Sequence, residues 1–272
     1  MQTSMTLKNI LPTLRSNYVT ALSIFMAILT IVAVYRVDLG IIVNEALQSE
    51  VVSHIILVPL VVSYLLYRKR EMIRASIVFE KAQATRMASI KDFLGIALCI
   101  SALLLYWYGS YTFYALEYHL ISLPIFIIGI TLILFGAKAL RVLIFPILFL
   151  LFLIPLPSEV IYTAGTLLAY FNTQASYALL KSFGLPVTLT FSYASPSIVV
   201  NNASGPISFA VDLACSGMYS LIAFIMFATF LAYLARGSVW KKAVLFILGF
   251  VILQILNIVR ISSIVLVGHS LG

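Results

Sequence analysis

The sequence predicts an all-α polytopic membrane protein, and three features of its 272 residues support this fold class. Hydrophobic residues make up 62% and charged residues 10% of the chain, whereas a soluble domain carries roughly 25% charged residues. The mean hydropathy is +1.11. Apolar runs near the ~17–25 residues that cross a bilayer recur along the chain. We therefore expect a single integral membrane domain over residues 1–272, with seven or eight membrane helices and a small extracytoplasmic β element.

The excess of positive charge lies between apolar runs. The formal net charge is +8, and the segment Arg68–Asp92 holds seven basic and three acidic residues. Because Lys and Arg are enriched in the cytoplasmic loops of membrane proteins, we expect this segment to lie in the cytoplasm. No aromatic pattern interleaves the basic residues, so we expect no nucleic acid partner.

Seven apolar runs are candidate membrane spans. They are Tyr18–Tyr35, Val51–Tyr67, Phe93–Tyr108, Leu120–Ala137, Val142–Leu156, Cys215–Leu234 and Ala243–Gly268. The first is too long for a signal-peptide core, and we expect it to be retained. The first three lie in an N-terminal part, residues 1–119, and the others lie in a C-terminal core, residues 120–272.

One further stretch, Glu159–Leu180, is long enough to cross the membrane but contains polar residues such as Asn172. We counted crossings from the cytoplasmic segment Arg68–Asp92 and from the basic loop Arg236–Lys242. This count places both ends of residues 156–214 outside. We favour the interpretation that Glu159–Leu180 is re-entrant or interfacial. The alternative is that it crosses the membrane and that one of the loops is assigned to the wrong side.

The extracytoplasmic segment of about residues 182–214 changes character. Val187–Tyr193 and Ser197–Val200 are rich in β-branched residues, and hydrophobic and polar residues alternate along Ile207–Asp212. This alternation is typical of half-buried strands. We expect a small β element that leads directly into the helix of Cys215.

Two residues are unusual for their position. Cys215 lies where the β element gives way to an apolar helix, and Arg260 lies deep in the last apolar run. A thiol reacts as the thiolate, which a helix N-terminus and nearby cations stabilise. If Asp212 is the N-cap, Cys215 occupies the third helical position, although the Asp212 carboxylate opposes thiolate formation. An arginine inside a span costs ~2.5–3.5 kcal/mol on insertion scales and usually faces the bundle interior or a partner.

Each of these residues also has a simpler explanation. A cysteine beside Ser-Gly is most often a packing residue, as we expect for Cys99, and an arginine near a helix end often extends toward the headgroups. However, the count of crossings places Cys215 and Arg260 at the same outer face, together with the β element. This convergence favours Cys215 as a nucleophile and Arg260 as a stabiliser of a developing oxyanion.

The histidines are a weaker signal. His269 follows Arg260 by nine residues, which on a continuous helix is about half a turn out of phase and ~13–14 Å along the axis. Both side chains reach one thiol only if the helix breaks at Gly268; otherwise His269 caps the span at the interface. His54 and His119 lack metal-ligand spacing, so we expect them to be structural and expect no metal and no cofactor.

Three motifs occur in order along the C-terminal core. They are Phe145-Pro146 through Leu153-Ile154-Pro155-Leu156-Pro157, then Ala214-Cys215-Ser216-Gly217, then Asn257-Ile258-Val259-Arg260. Together they resemble the exosortase/archaeosortase family of membrane cysteine transpeptidases, over about Leu120 to the C-terminus. Met218-Tyr219 follows Cys-Ser-Gly where bacterial members often have a basic residue, which favours an archaeal-type branch.

The resemblance implies a catalytic mechanism and a location. Cys215 would form an acyl-thioester and Arg260 would act as proton donor, while His269 is a candidate for the third catalytic position, His or Arg, of the family. Members act on secreted or surface proteins with a C-terminal sorting signal, made of a short motif, a hydrophobic helix and a basic cluster. A second nucleophile, such as a lipid amine, then takes the new C-terminus. The protein would be a multi-pass plasma-membrane protein with its active site on the extracytoplasmic side.

Two other functions fit part of the pattern. A transporter or channel component would use Arg260 as an anion-binding residue. It would give Cys215 no role, and it would favour a second half that repeats the first, which the sequence lacks. A non-catalytic assembly factor would use Arg260 to clamp helices together.

Overall fold

The computed structural model describes residues 7–49, 52–82, 88–192, 195–202 and 205–271. The chain divides into two compact units, Met1–Pro155 and Leu156–Gly272. Helices dominate both units, and one small sheet lies in the second. The predicted helical class and the β element before Cys215 are therefore confirmed.

The first unit is entirely helical in its described residues. Its helices are α1 (Leu7–Gln48), a 3₁₀ turn (Ser53–Ile56), α2 (Leu57–Ala82), α3 (Ala88–Gly109), α4 (Ala115–Phe149) and a second 3₁₀ turn (Leu150–Leu153). Tyr35 and Ile42 of α1, Leu65 of α2 and Leu120 of α4 are completely buried. These residues place the core of the unit between the helices, whereas many of their other apolar side chains face outward.

Helix α4 contains a break inside the predicted span Leu120–Ala137, just before the predicted gap between two spans. Gly136 has φ 77° and ψ 178°, a conformation that is essentially restricted to glycine. The kink at Gly136 therefore lies near the end of the apolar run Leu120–Ala137, and the run Val142–Leu156 follows it. Pro124 and Pro146 also lie inside α4.

Four helices in the described part of the chain are long and apolar enough to cross a membrane. They are Leu22–Gln48, Ile90–Gly109, Ala115–Leu153 and Val239–Leu271. The predicted count of seven or eight spans is thus not confirmed. The difference arises because Ala115–Leu153 covers two predicted spans, α2 carries basic residues along its second half, and the apolar helix Met218–Leu234 is short.

The second unit combines three helices with a three-stranded sheet. Its elements are α5 (Ser158–Ser182), β1 (Val187–Ser192), β2 (Ser195–Asn202), β3 (Gly205–Ala210), α6 (Met218–Leu234) and α7 (Val239–Leu271). The strands are antiparallel in the order β1-β2-β3, with Leu189 opposite Ile198 and Ile198 opposite Phe209. Alternation along β2 buries Ile198 and Val200 against residues of α5 and α7.

Helix α5 runs parallel to α7. Asn172 contacts Gln254, and four residues later Ser176 contacts Ile258, so the two helices advance in the same direction. Helix α6 runs antiparallel to α7, since Gly217 lies against Asn257 whereas Phe224 lies against Gly249. Helix α5 has 25 residues and no break, so it does not turn back on itself as a re-entrant segment would.

Candidate active site

Cys215 lies in a turn and not in a helix. The Cys215 N–H contacts both the carbonyl oxygen and Oδ1 of Asp212, each at 3.1 Å. Ser216 Oγ donates to the Leu213 carbonyl at 2.7 Å and accepts from the Met218 N–H at 3.1 Å. The residues of Asp212–Ser216 therefore form a hydrogen-bonded turn that leads into α6.

The first residue of α6 corrects one expectation. The helix begins at Met218, and its N-cap is Gly217 at φ 83°. Cys215 therefore precedes the first helical residue by three positions and does not occupy the third helical position. Asp212 caps the turn instead of the helix, because the left-handed conformation of Gly217 interrupts the helical path between the two.

The main chain around Cys215 is held by side chains of α5 and α7. Arg260 Nη2 donates to the Ala214 carbonyl at 3.4 Å, and Asn257 Nδ2 donates to the Cys215 carbonyl at 3.2 Å. Asn172 Nδ2 donates to the Ser216 carbonyl at 2.9 Å. Three consecutive carbonyls thus accept hydrogen bonds from three side chains, which fixes the turn against two helices.

The spacing of Asn257 and Arg260 explains why both reach the turn. Residues three apart lie on one side of a helix, so the two side chains of the motif Asn257-Ile258-Val259-Arg260 point to adjacent carbonyls. Gly217 permits this close approach. A Cβ at Gly217 would lie 3.1 Å from both Cγ and Nδ2 of Asn257. The structure therefore brings the Cys-Ser-Gly motif and the Asn-x-x-Arg motif into contact.

The thiol and the guanidinium differ in exposure. Cys215 is half-buried and packs against the apolar core formed by the sheet, α5 and α7. Arg260 is exposed, and its contact with the Ala214 carbonyl uses one of the five N–H donors of a guanidinium. Donors of Arg260 are therefore available to a group that approaches beside Cys215.

Sequence reasoning missed the amide network below the turn. Asn172 Nδ2 also donates to Gln254 Oε1 at 3.1 Å, and both residues are buried. Asn172 was noted only as a polar interruption, and Gln254 was not noted. The available signal was the series Gln254, Asn257 and Arg260, which places three polar residues at intervals of three in an apolar helix.

A cleft of about 300 Å³ opens beside the turn. Asp212, Leu213 and Ala214 form one wall, so the cleft ends at the residue before Cys215. Its other walls come from α5, the start of β2 and the first turn of α6, and they carry the polar side chains Tyr162, Thr166, Ser195 and Tyr219. The lining combines hydroxyl groups with one carboxylate.

Helix α7 does not break at Gly268, so His269 is not brought close to Cys215 in the way that such a break would allow. Helix α7 continues through Gly268 to Leu271, and Gly268 packs against the ring of Phe209 in β3. The carbonyl of His269 accepts from Asn202 Nδ2 at 3.1 Å, so this end of the helix lies against the sheet. On an unbroken helix His269 and Arg260 point to nearly opposite sides.

Neither cysteine is in a disulfide, and no group of three or more His, Cys, Asp or Glu in the described ranges is arranged to hold a metal. A helical membrane protein with a free, half-buried thiol, one residue from a carbonyl that an arginine contacts, belongs to the class of membrane proteins with a candidate thiol-nucleophile site. At this site the groups available for chemistry include the thiol of Cys215 and the guanidinium of Arg260.

Sequence comparison identifies the family. The sequence profile described as "Transmembrane exosortase (Exosortase_EpsH)" matches residues 45–272, and the chain belongs to this family. The match begins well before Leu120, so it also covers most of the first unit. No curated protein and no solved structure matches the chain. The predicted resemblance is confirmed, and membership supports a general role in protein sorting and does not favour the transporter alternative.

Proposed function

We propose that the protein is a sorting transpeptidase in which Cys215 is the nucleophile. Exosortases are transpeptidase-like membrane proteins that act on secreted proteins with C-terminal sorting signals. The Cys215 thiolate would attack the carbonyl carbon at the recognised peptide bond and form an S–C bond. Collapse of the tetrahedral intermediate would break the C–N bond and leave an acyl-thioester on Cys215. The departing nitrogen would take up the proton that the thiol had given up, so the tail would leave as a neutral amine.

The observation that carries this proposal is the contact between Arg260 and the Ala214 carbonyl at 3.4 Å. It puts a permanently charged donor group one residue from the thiol, and a guanidinium stays protonated at any physiological pH. Arg260 would hold the developing oxyanion and donate a hydrogen bond to the departing amine. Asn257 would keep the Cys215 main chain in place during the reaction through its own hydrogen bond.

The cleft beside Ala214 is the proposed binding site for the short recognised motif. Its hydroxyl groups offer both donors and acceptors to a peptide main chain, and Asp212 offers an acceptor to peptide N–H groups. A substrate with a hydrophobic tail is already held in the membrane. It would therefore need only local contacts in this cleft to align one peptide bond with Cys215.

The second half of the reaction requires an acceptor. An amine, such as that of a lipid headgroup, would attack the thioester carbonyl, form a C–N bond and release the Cys215 thiolate. We expect the site to face the extracytoplasmic side, where secreted substrates and outer-leaflet lipids meet. The loop Arg236–Lys242 would then be cytoplasmic, because it carries basic residues at the opposite end of α6.

Replacement of Cys215 tests the proposal directly. In cells, Cys215→Ala and Cys215→Ser should abolish removal of the C-terminal tail from a surface protein with a sorting signal, as measured by mass spectrometry of the substrate C-terminus. Cys99→Ala is the matched control, because Cys99 is the other free cysteine and lies within α3. Tail removal at the normal rate in the Cys215 variants would rule out this residue as the nucleophile.

A further inference from the structure

The first unit holds a second set of reactive side chains, formed by Ser110, His119 and Asp38. Ser110 Oγ lies 3.0 Å from His119 Nε2, and His119 Nδ1 lies 2.7 Å from Asp38 Oδ1. A hydroxyl on one ring nitrogen and a carboxylate on the other is the arrangement that activates a serine as a nucleophile. The three residues come from the end of α3, the first turns of α4 and the second half of α1.

Burial fixes the His119–Asp38 pair. The side chains of His119 and Asp38 are 10% and 6% exposed. The Tyr106 hydroxyl donates to Asp38 Oδ2 at 2.9 Å, so both carboxylate oxygens are satisfied. The ring of Tyr106 also stacks on the imidazole, with 3.7 Å between centroids. Because Asp38 accepts at Nδ1, the neutral ring carries its proton there and presents the lone pair of Nε2 to Ser110.

Ser110, in contrast, is exposed. It follows Gly109, the last residue of α3, and a Cβ at Gly109 would lie 3.2 Å from His119 Cδ2. This close approach brings the end of α3 onto the first turns of α4 and places Ser110 over the imidazole. Ser110 Oγ also donates to the Tyr106 carbonyl at 3.2 Å, so its single proton must turn from this carbonyl to His119 Nε2 when the imidazole acts as a base.

The surroundings of Ser110 are aromatic and exposed. Trp107, Tyr108, Tyr111 and Phe113 are 63%, 57%, 75% and 105% exposed, and they lie at or just beyond the end of the membrane-spanning candidate Ile90–Gly109. Exposed Trp and Tyr at the end of a span are typical of the headgroup level of a bilayer. A substrate for Ser110 would therefore approach from the membrane surface, with an apolar chain among these rings.

We propose that Ser110, His119 and Asp38 form a second nucleophilic site, which acts on the ester carbonyl of an amphiphile at the membrane surface. The Ser110 hydroxyl gives its proton to His119 Nε2 as Oγ bonds to the carbonyl carbon. The ester C–O bond then breaks, and the leaving alcohol takes the proton from His119. Water, activated by the same nitrogen, releases the acid and restores Ser110. Asp38 stabilises the imidazolium between these steps.

An alkyl fluorophosphonate tests this site without any sorting substrate. Ser110 Oγ would bond to phosphorus and displace fluoride, and peptide mass spectrometry of the full-length protein in nanodiscs would locate the adduct. We expect labelling at Ser110, none in Ser110→Ala, and a loss of rate on the order of 100-fold in His119→Gln and Asp38→Asn. Ser101→Ala is the matched control, because Ser101 is an exposed serine on the same helix that donates to the Leu98 carbonyl.

Each outcome decides the proposal. Absence of a Ser110 adduct in the wild-type protein, or equal labelling in His119→Gln, would overturn it and leave the three residues as a structural hydrogen-bond network. Hydrolysis of p-nitrophenyl octanoate, lost in Ser110→Ala, would support the substrate class. Labelling without turnover of this ester would refute that class. Ser110→Ala should remain folded, with at most a small decrease in its thermal unfolding temperature, because the oxygen removed is exposed but is also a partner of His119 Nε2.

Discussion

Gly217 is the residue on which the geometry of the candidate site depends most. Its φ of 83° is costly for any other residue, by roughly 1–2 kcal/mol, and a Cβ would press on the amide of Asn257. Both effects act on the same turn that carries Cys215. The backbone conformation and the helix contact are therefore distinct constraints that only glycine meets together.

Gly217→Ala should reduce tail removal strongly and lower the thermal unfolding temperature. Gly184→Ala separates the two causes, because Gly184 has a similar φ of 79° but nothing within 4 Å of its Cβ position. It should show only the backbone cost and keep its activity. Equal activity in both variants, measured by substrate mass spectrometry and a thermal shift assay, would mean that the Asn257 contact is unimportant.

Arg260→Lys tests whether activity requires the planar set of N–H donors of the guanidinium or only its positive charge. Lysine keeps the positive charge but lacks the planar set of N–H groups that can hold a main-chain carbonyl and a substrate oxygen together. We expect tail removal to fall on the order of 100-fold, as when one oxyanion donor is lost. Arg236→Lys, in the exposed segment after α6, should have no effect. Full activity of Arg260→Lys would contradict the proposed role.

Cys215 and Arg260 could be singled out from the sequence as candidates, whereas the contacts of Asn172 that hold the turn could not. Cys215 and Arg260 are conspicuous because a thiol at an element boundary and a charge in an apolar run both demand an explanation. Asn172 has its partner at Ser216, and that pairing depends on how α5 packs. The sequence shows that residue 172 is an asparagine, but it does not show which carbonyl the side chain binds.

At the scale of elements, α5 and α7 are joined by buried amides as well as by apolar packing. Asn172 Nδ2 serves both Gln254 Oε1 and the Ser216 carbonyl. Removing one buried partner leaves the other unsatisfied, which costs ~1–3 kcal/mol, whereas removing both with apolar residues of similar shape is nearly neutral. The network therefore links helix packing to the position of the turn.

Asn172→Leu should destabilise the protein by ~1–3 kcal/mol. Adding Gln254→Leu should recover part of that loss, because the orphaned Gln254 Oε1 is removed, but the Ser216 carbonyl stays without its donor. We therefore expect the double variant to regain thermal stability without regaining tail removal. Thermal unfolding and substrate mass spectrometry measure the two effects separately. Simple additivity of the two stability losses would argue against a shared network.

The start of α6 shows why element boundaries were harder to predict than elements. Asp212 is a favoured N-cap residue, and the apolar run continues from Cys215 without a break. The β element and the apolar helix were both expected in these places and are present. Gly217 separates the turn from α6 through its positive φ angle, and a pattern of hydrophobic residues does not predict that angle.

At the scale of the whole molecule, the parallel packing of α5 and α7 makes a prediction about topology. Helix α5 begins 14 residues before Asn172, and α7 begins 15 residues before its partner Gln254. Ser158 and Ser238 should thus lie at one end of the second unit, whereas Ser270 lies at the other. If α7 crosses the membrane, α5 crosses in the same direction.

Single cysteines at these positions test this topology. In a background with Cys99 and Cys215 replaced by alanine, Ser158→Cys and Ser238→Cys should react with an impermeant thiol reagent from the same side. Ser270→Cys should react from the opposite side. The three serines are exposed, so access does not differ for reasons of burial. If Ser158→Cys reacts together with Ser270→Cys, residues 156–214 start and end on one side, as we first expected.

The number of spans was less predictable than the class of protein. Composition identifies a membrane protein because it sums over the whole chain, whereas a span count depends on local events such as the bend at Gly136. The hydropathy of α5 is low because it contains polar residues that make tertiary contacts. Two of them, Asn172 and Ser176, bond to groups outside their own helix. Hydropathy alone does not separate such a helix from an interfacial one.

Because the Cys215 N–H contacts two oxygens of Asp212, it is not free to stabilise an oxyanion in the proposed reaction. Many hydrolases neutralise the charge that builds up on the attacked oxygen with main-chain N–H groups of the nucleophile itself. In this turn that N–H is already engaged by two oxygens. An enzyme with this architecture would depend on the charged side chain of Arg260 for that task, and its activity would be unusually sensitive to replacement of Arg260.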